Sequence, residues 1–199
     1  MFTGIITHIG TIEAAEQKGD LTITISCDFP PNALDIGDSV ACGGACLTVT
    51  RKGLLSSGKL YFNADLSAET VARTAPGMWE KGKKLNLERS LKLGDSLDGH
   101  MVSGHVDGVA MITGVEKRGD SHRLTVEAPA ELARFITEKG SVTLNGVSLT
   151  VNRAEGARFE VNIIPHTWAV TTLGELSPQS PVNLEIDLIA RYVARLIQG

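Results

Sequence analysis

Apolar and polar residues alternate along much of this chain. Leu21-Thr22-Ile23-Thr24-Ile25-Ser26 and Arg123-Leu124-Thr125-Val126-Glu127 change character at each step, the period of a half-buried strand. Segments 46–50, 149–152, 159–163 and 182–186 are also alternating or β-branched. Gly19-Asp20, Gly37-Asp38, Gly94-Asp95, Gly119-Asp120 and Asn145-Gly146 punctuate them with turn chemistry. Short helices are expected over 68–73 and 129–136. At the end of the chain the period changes. Leu188, Ile189, Tyr192, Val193, Leu196 and Ile197 recur at helical spacing behind Asp187, which stands where an N-cap belongs. So short a helix is marginal alone and needs a partner, either its own domain or copies of itself in an oligomer.

The pattern is written twice. Gly4 answers Gly104, and Gly19-Asp20 answers Gly119-Asp120, at an offset of 100. Ser39-Val40 answers Ser141-Val142, and Gly44-Ala45-Cys46-Leu47-Thr48-Val49 answers Gly146-Val147-Ser148-Leu149-Thr150-Val151, at 102. Past a longer turn in the first copy the offset falls to 97, where Phe62, Thr70 and Leu85-Asn86-Leu87-Glu88 answer Phe159, Thr167 and Val182-Asn183-Leu184-Glu185. Four blocks in one order, with drifts confined to turns, point to duplication. The units are expected at 1–97 and 98–187, followed by a helical tail at 188–199. About six short strands per unit fit a closed barrel, because closure removes exposed edges. The expected fold is all-β: two tandem six-stranded antiparallel β-barrels with short helices and a C-terminal helix.

Composition narrows the function. The 199 residues carry a net charge of −4, with 42% hydrophobic and 21% charged positions, an ordinary globular balance. No basic stretch is dense enough for nucleic acid, and no apolar run is long enough to span a membrane. The N-terminus lacks the pattern of a secretion signal, and three cysteines without paired spacing fit a reducing compartment, so a cytoplasmic protein is expected.

Several segments resemble the riboflavin synthase family: Met1-Phe2-Thr3-Gly4-Ile5-Ile6, Cys46-Leu47-Thr48-Val49, Gly99-His100-Met101-Val102-Ser103-Gly104-His105-Val106, Gly146-Val147-Ser148-Leu149-Thr150-Val151, Ile164-Pro165-His166-Thr167 and Val182-Asn183-Leu184-Glu185-Ile186-Asp187. The resemblance runs nearly the whole chain, in order. It implies a homotrimer, with lumazine synthase as a candidate partner. It also implies a reaction in which two 6,7-dimethyl-8-ribityllumazine molecules share one active site. One gives a four-carbon unit to the other, yielding riboflavin and 5-amino-6-(ribitylamino)uracil without a metal or redox cofactor. Duplication suits this chemistry, since related sites can hold two like molecules together and remove the entropic cost of their encounter.

Carried onto this sequence, the resemblance implies a first-barrel site of Gly4, Ile5, Ile6, Cys46, Leu47, Thr48, Asp65, Leu66, Ser67, Ala68, Glu69 and Thr70. The second-barrel site is Gly104, His105, Val106, Lys139, Ser148, Leu149, Thr150, Asn162, Ile163, Ile164, Pro165, His166 and Thr167. It gives catalytic weight to Cys46, Ser39, His105 and Asp187: proton transfer on His105 supported by a carboxylate such as Asp187, and Cys46 as nucleophile or polar stabiliser assisted by Ser39.

Each has a plainer structural reading. A lone cysteine in a strand is usually a small buried hydrophobe, the reading kept for Cys27 and Cys42. Asp187 caps a helix, Lys139 is a solvated charge, and Ser148, Thr48 and Thr150 are ordinary strand residues. His100 supports a loop, and with His105 and Asp107 it lacks the spacing of a zinc site. The rival functions are a non-catalytic lumazine or flavin antenna and a flavin-dependent reductase domain. The second would need a nucleotide-binding partner domain for which the chain has no room.

Overall fold

The computed structural model describes residues 1–197, with Lys18 described by its backbone alone. The first unit comprises β1 (His8–Lys18), β2 (Asp20–Cys27), β3 (Ser39–Cys42), β4 (Ala45–Thr48), β5 (Arg51–Leu54), β6 (Leu60–Leu66), α1 (Ala68–Arg73) and β7 (Lys84–Arg89). The second comprises β8 (Gly108–Arg118), β9 (Ser121–Glu127), β10 (Ser141–Leu144), β11 (Val147–Glu155), β12 (Arg158–Ile163), α2 (Pro165–Val170) and β13 (Pro181–Ile186). α3 (Leu188–Ile197) follows, and the last two residues of the expected tail 188–199 lie outside the described residues. Among the described residues no helix is long and apolar enough to cross a membrane.

The second unit is a closed barrel in the order β10-β11-β12-β9-β8-β13. The first is a seven-stranded sheet, β4-β3-β7-β1-β2-β6-β5, with the same pairings. Its two end strands are one stretch of chain broken at Val49-Thr50, so the ends of the sheet meet through the chain itself. β11 has a bulge between Val151 and Arg153, the equivalent place. The same bend is mild in one copy and splits the strand in the other. β1 and β8 also share a bulge, at Ile12/Ala14 and Ile112/Gly114. The turn that the repeat places in the first copy is Leu55–Lys59, against Gly156–Ala157 in the second.

One helix expectation needs correction, and one helix needs adding. The segment 129–136 forms only a 3-10 turn at Ala133–Phe135, because Pro129 and Ala130 start a chain of tight i-to-i+3 turns that Ile136 ends in extended backbone. α2 was not foreseen, although it repeats α1. Ser67 caps α1 through Thr70 N, whereas α2 starts on Ile164 with Pro165 in its first turn and no side-chain cap.

Each barrel has its own apolar core, one centred on Phe62, Ile23 and Leu87, the other on Phe159, Leu124 and Leu184. β7 and β13 are buried on both faces. Leu85 and Leu87 point into the first core, and Asn86 and Glu88 point into the seam between barrels. Asn86 donates to Asn145 O (2.9 Å) and accepts from Thr172 N (2.8 Å) in the second barrel. Asn183 donates to Gly43 O (2.7 Å) and accepts from Ala75 N (2.7 Å) in the first. Buried amides are tolerated when satisfied in this way, and the matching bonds make the seam pseudo-two-fold. The turns Gly43-Gly44 and Asn145-Gly146 meet back to back there. A Cβ on Gly44 would sit 2.8 Å from Gly146 N, and one on Gly146 would sit 2.8 Å from Gly44 N.

Candidate active site

The segments before each barrel exchange partners. Phe2 and Val102 pair as an antiparallel bridge (2.8 and 3.1 Å), wholly buried with Ala41 and next to Cys46. Beyond that crossing, Gly104 O accepts from Cys46 N (2.7 Å) and Gly4 O accepts from Ser148 N (2.8 Å). The arm of each copy thus docks on the edge of the other's barrel. Val106 packs on the first core and Ile6 on the second. Both glycines have positive φ, +77° at Gly4 and +78° at Gly104, and a Cβ would meet Ser148 Cβ at 2.6 Å or Cys46 Cβ at 2.7 Å. Only glycine fits either place.

A buried carboxylate holds each arm. Glu88 accepts from Thr3 N (2.6 Å), Thr3 Oγ1 (2.8 Å) and Gly4 N (2.9 Å). Glu185 accepts from Ser103 N (2.7 Å), Ser103 Oγ (2.7 Å) and Gly104 N (3.0 Å). The two are 5% and 3% exposed. Burial pushes both carboxyls above the usual range, and these hydrogen bonds hold the rise back. Strand register puts each Glu in one outward-facing row with the docking residue: Glu88, Ala41 and Cys46 across the first barrel, Glu185, Thr143 and Ser148 across the second.

The exchange corrects the grouping by copy. Cys46 shares a site with Gly104, His105 and Val106, and Ser148 with Gly4, Ile5 and Ile6, because each arm crosses the seam before it reaches a barrel edge. The first site is a cleft of about 250 Å³ lined by Ala45, Cys46, Glu69, Thr70, Arg73, Thr74, Gly104, His105 and Val106. Around Ser148 the equivalent positions are Val147, His166, Thr167, Val170, Thr171 and the arm Gly4, Ile5, Ile6. His105 and His166 are exposed, and Thr70 and Thr167 half-buried.

Other candidates sit differently. Leu47, Leu66, Leu149 and Ile163 point into the cores, so only their backbone can face a ligand. Thr48, Thr150, Asn162 and Ile164 are exposed along the same rims, as is Ala68 in the first turn of α1. Asp65 accepts from Thr22 Oγ1 (2.6 Å), Ser67 is a cap, and Pro165 opens α2. Ser39 lies opposite Thr48, outside the lining of the cleft. Lys139 is exposed in left-handed backbone (φ +65°), its N–H on Val151 O. Asp187 caps α3 through Ile189 N (2.9 Å), and its charge acts on His100. The expected His105–Asp187 pairing gives way to this, because β13 ends at the second barrel while His105 lies on the first. Ser148 Oγ and His100 Nδ1 are 2.7 Å apart.

Glu88, Glu185, Asn86, Asn183, His100, Arg73 and Thr74 were missed. The signal for the first four was present in the repeat. A polar residue on alternate positions of one strand reads as solvent-facing, but the same Asn and Glu in both copies mark a face that the copies share.

A family model described as "Lumazine binding domain" matches residues 3–90 and again 103–187. The riboflavin synthase of Brucella abortus (strain 2308) is 45% identical over 100% of this chain and 98% of its own length. That of Bacillus subtilis (strain 168) is 38% identical over 99% and 90%. The chain belongs to the riboflavin synthase family. That of Photobacterium phosphoreum is 41% identical over 99% of this chain and 89% of its own. Among solved structures, LumP complexed with 6,7-dimethyl-8-(1'-D-ribityl) lumazine superposes with a TM-score of 0.76 at 25% identity, and LumP with riboflavin at 0.78 and 26%, each covering 94% of this chain and 99% of that one. Members of the riboflavin synthase family thus match both copies of the repeat and the arms between them.

Proposed function

We propose that this protein is a riboflavin synthase, a transferase that dismutates two 6,7-dimethyl-8-ribityllumazine molecules into riboflavin and 5-amino-6-(ribitylamino)uracil. The reaction balances between the two substrate molecules: the four carbons lost by one are gained by the other, so no external oxidant is needed. The observation that carries the reading is the exchange of arms, which builds two related, non-identical sites, one at Cys46 and one at Ser148. Cys46 and His105 share the first, a thiol and an imidazole beside a cleft that a heterocycle can enter. Lys139, Asp187 and Ser39 remain proposed contributors, with 1–97, 98–187 and 188–199 as the functional divisions.

The active site needs two ring faces brought together, and we place it between chains of a homotrimer. No residue of α3 is buried, and Ile189, Tyr192, Val193, Leu196 and Ile197 are exposed on its surface. An apolar stripe turned outward suits packing against copies of itself. Three free cysteines, two of them buried, suit the cytoplasm.

The competing reading is a lumazine-binding antenna, favoured by the likeness to LumP. Mixing the purified protein with the lumazine separates the two. The enzyme reading expects flavin absorbance to grow and titration to find two lumazines per chain. In Cys46→Ala, turnover falls while binding stays measurable. A chain ending at Asp187 is expected to lose assembly and turnover together. Bound lumazine that never becomes flavin would leave only the antenna.

A further inference from the structure

Ser148 and Cys46 occupy equivalent points, yet their surroundings differ. Cys46 backs onto Phe2, Ala41 and Val102. Ser148 Oγ lies 2.7 Å from His100 Nδ1, on the segment that links the barrels. His100 is anchored by its own N–H on Thr3 O (3.2 Å), and a Cβ on neighbouring Gly99 would press on Ser148 Cβ at 3.2 Å. The ring is therefore held over Ser148 from the linker side. Its Nε2 is buried with no hydrogen-bond partner among the described residues. Such a group is rare in a native fold and calls for a functional reason.

We propose that His100 is a positioning residue that makes Ser148 the proton-transfer group of the second site. The idea rests on the riboflavin-forming reading above. In the neutral ring, Nδ1 accepts a hydrogen bond from the Ser148 hydroxyl and turns an oxygen lone pair toward the bound lumazine. Ser148 Oγ takes a proton from the C7 methyl as its own proton passes to Nδ1. The methyl C–H and the original Ser148 O–H bonds break, a new O–H and an N–H form, and the carbanion charge spreads into the heterocycle. The proton returns by the same path. Two groups act on the ring: Ser148 on β11, and Asp187 at the junction of β13 and α3, whose charge reaches it. Burial lowers the affinity of His100 for a proton, which keeps it neutral and ready to accept, while Asp187 pulls the other way and steadies the imidazolium once formed. Substrate orientation follows: the lumazine at Ser148 is the molecule deprotonated, and the lumazine at Cys46 is its partner.

The test compares riboflavin formation by the full-length protein, His100→Gln and Ser148→Ala across pH, with lumazine binding measured in parallel. Gln can keep the hydrogen bond to Ser148 but cannot carry the proton. We expect kcat to fall about 100-fold in His100→Gln, KM and lumazine affinity to change little, and the acid limb of the kcat profile to vanish. Ser148→Ala should lose the same limb, and the double variant should be no slower than the worse single one. A His100→Gln rate near that of the unmodified protein, or a slow variant that keeps its acid limb, overturns the relay while riboflavin synthesis stands. An unmodified protein that makes no riboflavin overturns both.

Discussion

Cys46 and Ser148 show what duplication has kept and what it has let go. At both, a strand N–H reaches across the seam to a glycine carbonyl, at 2.7 and 2.8 Å. The glycines share their backbone angle to within a degree, and behind each stands a buried Glu accepting the same set of bonds. The side chains at the two places share little. A thiol lines one cleft with His105, and at the other place a hydroxyl is bonded to His100. The scaffold is symmetric because docking two barrels demands it. The chemistry is asymmetric because two identical molecules must play different roles.

The largest effect should come from breaking the symmetric scaffold on a single side. Gly104→Ala drives a methyl into Cys46 from left-handed backbone, and Gly4→Ala does the same at Ser148. Strain and overpacking together should cost about 3 kcal/mol in either variant. Each is expected to abolish riboflavin formation, since both molecules must be bound. The surviving binding should differ: Gly104→Ala keeps the site at Ser148, and Gly4→Ala keeps the one at Cys46. Equilibrium titration with lumazine checks this, and two intact sites in either variant would show that the arms do not build them.

The clamps should behave alike in both copies, with an effect of about 1–3 kcal/mol. Burial raises the folded-state pKa of Glu88 and Glu185. For a raised carboxyl the favoured folded form is the neutral one. Its stabilising contribution is complete below the unfolded value of about 4.3 and is lost as pH rises through the folded value. Glu88→Gln and Glu185→Gln have no such loss. They should unfold more easily than the unmodified chain in mild acid, by a gap that narrows toward alkaline pH. Thermal unfolding at several pH values measures it. A gap that widens with pH would mean that the hydrogen bonds outweigh burial.

The fold was legible because its signals are local and appear twice: alternation, turn dipeptides and the shifting offset. The first helix and the tail were legible from local signals alone, since the tail occurs once and the repeat of the first helix was not recognised. The exchange of arms was not, because a repeat says which residues correspond and nothing about which copy they touch. Gly4 and Gly104 read as one motif written twice, so each was grouped with its own barrel. Asn86, Glu88, Asn183 and Glu185 were visible as repeated letters, but a repeat block carries no mark of which face of the strand is buried. His100 went unseen as a partner of Ser148 because the contact spans the linker and the second barrel, a separation that no local pattern records.

Lys139 offers the finest cut between the copies. Its repeat partner is Gly37, and the two share a bond: Gly37 N–H on Val49 O and Lys139 N–H on Val151 O, both 2.8 Å. Both residues are left-handed, at φ +94° and +65°. Gly37 adopts that conformation freely, while Lys139 is strained by about 1–2 kcal/mol. Strain of this kind persists where function holds it in place. Lys139→Gly should therefore raise thermal stability by a few degrees, an effect of about 1 kcal/mol. If the ammonium serves the ligand, lumazine affinity or turnover falls in the same variant. A protein that gains stability and binds and reacts unchanged would make Lys139 a surface charge on a turn that glycine would suit better, and the asymmetry between the copies would then rest on Cys46, Ser148 and their two histidines alone.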